Sequence, residues 1–322
     1  MKFPLTFILQ VAALLAWLSP SKAAYLRDGE IDRELQNDDY VNTHDFCPCW
    51  CFSADATVEV LDKGPVAMKY LNIGDKVLNG SSKTYEAVYA FAHLDFTAEA
   101  DFLKISTSVI YQDSPFEITS EHMVFVKDGK DGKSRAVRAG SLQVGDILDG
   151  GVSGAITIAK IESTSRKDGL FAPLTASGTI LVNGVVASNY ISLQPAGNEY
   201  PVLANDLALP ISQHTGIHIG MTPFRMLCMG VSSSFCDGYM IDGKPFWVDW
   251  GIKLATFADH QSLLVQLFIL GAVFSLTLPL YGIEAVLGAK LAPLLCLVGA
   301  VLYCVNKKNA LVAIRMEKKK AL

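Results

Sequence analysis

The chain has 322 residues, 51% of them hydrophobic and 18% charged, with a formal net charge of −5. That is too apolar for a disordered chain and too acidic for a general nucleic-acid binder. A mean hydropathy of +0.31 is high for a soluble protein, and the apolar residues are gathered in blocks at the two ends.

Residues 1–24 read as a secretory signal peptide. Lys2 is the basic leader, Phe3 to Leu18 the apolar stretch, Pro20 the break, and Ser21-Lys22-Ala23 puts small residues at a cleavage site. A chain with this address folds where disulfides are permitted. Residues 25–50 form a short acidic peptide containing Asp28, Glu30, Asp32, Glu34, Asp38 and Asp39, too short for a core of its own.

Between Asp55 and Leu193 the texture is β-rich. Short β-branched runs such as Thr57-Val58-Glu59-Val60, Met123-Val124-Phe125-Val126, Ile156-Thr157-Ile158 and Thr179-Ile180-Leu181-Val182 alternate with Gly, Asp, Asn and Ser. Asp128-Gly129, Asp131-Gly132 and Asn183-Gly184 are hairpin-turn dipeptides. The stretch also repeats itself: Val66-x4-Leu71-Asn72-Ile73-Gly74-Asp75 returns as Val137-x4-Leu142-Gln143-Val144-Gly145-Asp146, offset by 71 residues. Two copies suggest two half-domains related by a pseudo-two-fold rather than a solenoid.

The C-terminal block starts with Leu263 to Ile283, 21 residues without a charge until Glu284, and about 20 apolar residues span a bilayer. Pro279 lies within it, and membrane helices tolerate such a residue. Leu291 to Val305 adds a second apolar run, then a basic tail with Lys307, Lys308, Arg315 and Lys318-Lys319-Lys320. Residues 261–306 therefore read as transmembrane-type helices and 307–322 as a tail that prefers the cytosol. With a lumenal body, either one run crosses while the other lies in the interface, or the pair forms a hydrophobic hairpin. The opposing reading packs both runs as buried helices around a lipid.

Seven cysteines occur, at 47, 49, 51, 228, 236, 296 and 304. The last two lie in apolar sequence, and Cys228 and Cys236 are close enough to bridge. Cys47-Pro48-Cys49-Trp50-Cys51, with His44 upstream, has three readings: a zinc knot, which lacks the usual C-x2-4-C spacing; a structural disulfide through Cys51; or a nucleophile at Cys51, the first residue of the β domain.

The order of residues favours the nucleophile. Cys51-Phe52-Ser53-x-Asp55-Ala56-Thr57-Val58 is followed by His93-Leu94-Asp95 and then by Thr119-Ser120-Glu121-His122, a T-x-x-H opening a strand. Ala172-Pro173-Leu174-Thr175-x2-Gly178-Thr179-Ile180 comes next, then Val186-Ala187-Ser188-Asn189-Tyr190. With these motifs in this order, Cys51 to about Leu193 resembles the Hint (hedgehog/intein) autoprocessing domain of hedgehog proteins. The resemblance implies a mainly β horseshoe of two duplicated halves over 51–193. A mixed region over 194–260 would follow, in which His218-x4-Pro223-Phe224-Arg225-Met226 resembles the sterol-recognition segment.

The chemistry so implied is attack by the Cys51 thiol on its own preceding carbonyl, turning the Trp50–Cys51 amide into a thioester. Proximity favours it because nucleophile and carbonyl share one chain. His122 is the expected general acid for the departing nitrogen, worth about 10²–10⁴-fold, with the Thr119 hydroxyl orienting it or bonding the scissile amide. Asp95 matches the family's sterol-activating carboxylate. A sterol or other lipid alcohol, or water, then takes the N-terminal peptide; no metal or organic cofactor is needed, and the expected partner is membrane lipid.

Three features depart from the family pattern. Trp50 stands where Gly is usual, and Ser188-Asn189-Tyr190 replaces Ser-Cys-Tyr, which removes a redox partner that Cys47 or Cys49 could replace. Only about 27 residues, from Ala24 to Trp50, precede Cys51, so the released piece would be a peptide rather than a hedgehog signalling domain. The competing reading is a non-catalytic, membrane-anchored β scaffold. Protein splicing is disfavoured because Asn189 is followed by Tyr190, not by a nucleophile.

Overall fold

A computed structural model of the chain describes residues 51–288, apart from 81, 83, 109–115, 128–131, 195–198, 231–235 and 237–241. The signal peptide, the acidic peptide, Cys47, Cys49, Trp50, the Leu291–Val305 run and the basic tail lie outside the described residues.

The strands in chain order are β1 (Thr57–Val60), β2 (Gly64–Ala67), β3 (Lys76–Leu78), β4 (Tyr85–Asp95), β5 (Ala100–Thr107), β6 (Phe116–Ile118) and β7 (His122–Lys127). They continue with β8 (Ser134–Arg138), β9 (Ile147–Asp149), β10 (Ala155–Arg166), β11 (Leu170–Thr175), β12 (Thr179–Val182) and β13 (Val185–Ile191). All of them join one antiparallel sheet system in the order β11-β4-β3-β1-β12-β13-β7-β9-β10-β5-β6, with β2 added on β1 and β8 on β7.

The duplication read from the sequence is present bond for bond. The β1–β2 hairpin pairs Val58 with Val66, and the β7–β8 hairpin pairs Val124 with Val137. The N–H of Leu71 donates to Met68 O, as the N–H of Leu142 does to Ala139 O. Asp75 Oδ2 accepts from the N–H of Asn72, and Asp146 Oδ2 from that of Gln143. Gly74 and Gly145, at φ 95° and 97°, make the same turn, which is why the Gly-Asp pair recurs. Their N–H groups donate to Val88 O on β4 and Ile158 O on β10.

The halves then exchange partners. β4 pairs with β11, the strand following β10, and β10 pairs with β5, the strand following β4. Alternating apolar residues of both halves, including Val58, Val60, Val77, Val124, Leu148 and Ile156, meet in one core. Each such buried aliphatic stabilises the fold by about 1.5–3 kcal/mol. Asn183-Gly184 closes the β12–β13 hairpin, with Val182 paired to Val185.

Helices follow the sheet. A short pair, β14 (Val202–Leu203) and β15 (Leu207–Ala208), leads into α1 (Gln213–Gly220) and α2 (Thr222–Gly230). Ser212 caps α1 by accepting from the N–H of Thr215. Then come α3 (Phe246–Asp259) and α4 (Leu263–Gly288), which runs through Pro279 and is long and apolar enough to cross a membrane. Cys228 and Cys236 are joined by a disulfide.

Candidate functional site

Residues 51 and 52 sit where the two halves meet. Phe52 bridges Phe171 of β11 on one side and Ile118 of β6 on the other. This seats Cys51 in full burial among Ala100, Phe102, Leu170 and Ala172, with Ala92 and Ala98 packed against them.

Thr119 clamps residue 51 twice. Its N–H donates to Cys51 O at 3.1 Å, and its Oγ1 accepts from the Cys51 N–H at 3.1 Å. That nitrogen belongs to the amide linking residues 50 and 51. The T-x-x-H motif is the tight turn between β6 and β7: the N–H of His122, first residue of β7, donates back to Thr119 O at 3.2 Å. The His122 ring leans on Phe52 with centroids 4.5 Å apart. Its Nε2 lies 2.8 Å from Ser188 O. A carbonyl can only accept, so Nε2 carries a proton, and the buried Nδ1 is the ring's other titrating atom.

The sulfur has a partner to which the sequence reading assigns no role. Cys51 Sγ lies 3.2 Å from Nδ1 of His93, which is buried on β4. His93 Nε2 lies 2.8 Å from Asp242 O in the loop before α3. By the same reasoning Nε2–H donates, so Nδ1 offers its lone pair to the thiol. Burial pushes the His93 pKa down, and the nearby Lys244 ammonium adds to this. The ring is thus kept neutral, as a base must be. The loop is held by the Leu94 N–H, which donates to Gly243 O at 3.0 Å. Gly243 has φ +75°, and a Cβ there would meet Leu94 O at 2.6 Å and both His93 Cδ2 and Asp95 Cβ at 3.0 Å.

Asp95 ends β4 beside His93. Its Oδ1 accepts from the N–H of Thr97 at 2.8 Å, the Thr97 hydroxyl at 2.9 Å and the N–H of Ala98 at 3.0 Å. These bonds, the Thr97 N–H first, hold its pKa below the ordinary carboxylate value. The structure brings Cys51, Thr119 and His93 into direct contact. It places His122 one turn from Thr119 and Asp95 beside His93, with no direct bond from Asp95 to Cys51 among those described. The His93-Leu94-Asp95 motif was the signal that could have found the base.

Next to this cluster lies a cavity of about 380 Å³, lined by Ala92 and Ala172, by Leu174 and Tyr190, and by residues of α1, α3 and α4 such as Ile217, Trp247 and Leu270. Ala92 and Ala172 are also neighbours of Cys51. Two buried polar atoms in residues of its wall have no partner among the described residues: Asn189 Oδ1, an acceptor, and Trp247 Nε1–H, a donor.

The helices reach the site's histidines as well. Ser188, whose carbonyl holds His122, has its Oγ 2.9 Å from His214 Nδ1 on α1. Tyr190 OH lies 2.9 Å from His218 Nδ1. Burial lowers the His214 pKa to about 4, and burial, with the Arg225 guanidinium nearby, lowers that of His218 to about 3. The unfolded chain takes up these protons near the ordinary value of 6.5, whereas the folded chain refuses them until well below it. Below that value the unfolded state binds more protons, so this stability is complete above about pH 6.5 and lost as pH falls through the folded values. The thermal midpoint is expected to fall steadily from about pH 6.5 to about pH 4, and His214→Gln to flatten the fall. A pH series of melting curves checks both.

Comparison with known proteins agrees with this architecture. Residues 46–197 match the family model of the Hint module. This β-rich part of the chain is thus similar to Hint modules, and hedgehog and Warthog proteins are among its relatives. The chain is 30% identical over 152 residues to Warthog protein 8 of Caenorhabditis elegans, covering 43% of this chain and 27% of that protein. It is 32% identical over 161 residues to Sonic hedgehog protein of Danio rerio, covering 46% of this chain and 37% of that one. The match thus spans well under half the length of either relative. Among solved structures, the crystal structure of the gp41-1 intein aligns at 17% identity with a TM-score of 0.34, covering 43% of this chain and 98% of that one.

Proposed function

We propose that this protein cleaves itself at Trp50–Cys51 through an internal thioester and hands its N-terminal peptide to a lipid alcohol or to water. The observation that carries the reading is the environment of residue 51: its amide N–H on Thr119 Oγ1 and its sulfur on His93 Nδ1. His93 takes the thiol proton as Sγ bonds to the Trp50 carbonyl carbon. The C–N bond then breaks, and the leaving nitrogen takes a proton from Nδ1 of His122 in its doubly protonated imidazolium form, whose Nε2–H stays on Ser188 O, while Thr119 holds the nitrogen's existing N–H. An incoming hydroxyl attacks the thioester carbon, loses its proton to a base, for which Asp95 is the candidate, and expels the Cys51 thiolate. The released peptide ends in a Trp50 ester or, with water, a Trp50 carboxylate.

An apolar alcohol as acceptor is supported by the cavity beside Cys51. Its volume is in the range of small-molecule sites, which are mainly apolar with a few placed polar groups. The setting is the secretory pathway, at a membrane.

The test uses the full chain with an epitope tag inserted ahead of Trp50. Dithiothreitol should release a short tagged fragment that is absent from Cys51→Ala, and mass spectrometry should find a lipid adduct when sterol is supplied. A free carboxylate alone would leave cleavage standing and remove the transfer. No fragment under any condition would leave the non-catalytic scaffold.

A further inference from the structure

Helix α4 is apolar enough to cross a membrane, yet its inner face is tied to the rest of the module along its length. Gln266, Val273, Thr277 and Glu284 fall on one line at 3.6 residues per turn. Gln266, Thr277 and Glu284 are buried. Near one end, Gln266 Oε1 accepts from the N–H of Ala204 at 2.8 Å, and its Nε2 donates to Ala258 O at 3.1 Å and Asp259 O at 3.3 Å. Near the other, both Glu284 oxygens accept from Arg225 of α2, at 2.7 and 2.5 Å.

The opposite face is bare and apolar, with Leu264, Phe268 and Val286 exposed by 79%, 77% and 82%. A second apolar stripe flanks it on α3. Phe246, Trp250 and Phe257 are all exposed and share one side of that helix, and Trp250 also lines the cavity together with α4 residues.

We propose that α4 lies along the membrane surface rather than across it. Its outer face is sunk into the headgroup–acyl boundary of a bilayer, and its inner face is kept on the Hint module. Its length of about 39 Å exceeds the roughly 30 Å hydrocarbon core, so length permits either placement. The anchors decide. A crossing helix would carry Arg225, His218 and the backbone of β14 and β15 into hydrocarbon with it, where unsatisfied polar groups cost several kcal/mol each. An in-plane helix leaves them all on the protein side and keeps Trp250 at the headgroup level that tryptophan favours. The occupant is a bilayer because the exposed face of α4 is apolar from Leu264 to Val286 and the exposed Trp250 belongs to the same module. Trp250, which lines the cavity, then lies at the bilayer surface, which gives an apolar acceptor a route that avoids water. This refines the membrane setting proposed above and stands apart from the cleavage chemistry.

The full chain is reconstituted with phosphatidylserine/phosphatidylcholine vesicles. A nitroxide is attached through a non-natural azido side chain at Leu264, Phe268, Leu278 or Val286, with near-ultraviolet circular dichroism checking the fold. Relaxation by oxygen against a water-soluble nickel chelate should place all of these labels at a similar shallow depth of about 5–10 Å. A profile deepest at Leu278 and shallow on opposite sides at Leu264 and Val286 overturns the proposal. Labels that remain in water do so equally.

Discussion

Alanine in place of His93 is expected to slow dithiothreitol-driven release of the N-terminal peptide by about 10²–10⁴-fold at neutral pH. The ring is the side chain that a described bond places on the Cys51 sulfur; burial favours its neutral form, and Asp242 O fixes the tautomer that turns Nδ1 to the thiol. His122→Ala is expected to cost a similar factor for a different reason, and pH separates the two. At alkaline pH hydroxide can take the thiol proton in place of the ring, so His93→Ala recovers part of its rate. His122→Ala does not recover, since the leaving nitrogen still needs its proton. Single-turnover release followed by gel from neutral to alkaline pH makes the comparison. An equal deficit for His93→Ala across that range would remove the base role.

How much of this could be read in the sequence depends on how local each signal is. The Gly-Asp turns at 74–75 and 145–146 need a positive φ and a side-chain acceptor three residues from its donor, so their chemistry is written in adjacent letters. The same holds for T-x-x-H, a single tight turn. His93 is different: its partners lie 42 residues before it and 149 after it, and only the fold brings Cys51 and Asp242 to opposite nitrogens of one ring. Asn189 reads as a missing cysteine in the sequence, whereas in the structure it is a wall residue with an unpartnered oxygen. The apolar C-terminal run reads as transmembrane-type because hydropathy sums composition and ignores sidedness. The helix is long and apolar enough for that; which of its faces is held on the module, through Gln266 and Glu284, is visible only in the fold.

Replacing Glu284 with leucine is expected to destabilise the folded chain by about 3–5 kcal/mol, the cost of leaving a buried charge without its partner. Arg225 is 1% exposed and cannot turn to solvent. It also donates to His218 O at 3.1 Å and to Thr222 Oγ1 at 3.1 Å, bonds that hold its position but do not neutralise it. Arg225→Leu should cost as much from the other side. The double replacement Arg225→Leu/Glu284→Leu should recover most of the loss, because a buried pair exchanged for apolar residues is often neutral or gains about 1–4 kcal/mol. Thermal unfolding followed by near-ultraviolet circular dichroism gives the cycle, and near-additive single effects would show that the two charges do not depend on each other. The single variants also separate shelter from chemistry. With α4 loosened from α2 the cavity opens to water, while Cys51, Thr119 and His93 keep their places in the sheet. Release of the peptide should therefore persist with its product shifted from lipid ester to free carboxylate, and the double variant should restore the ester.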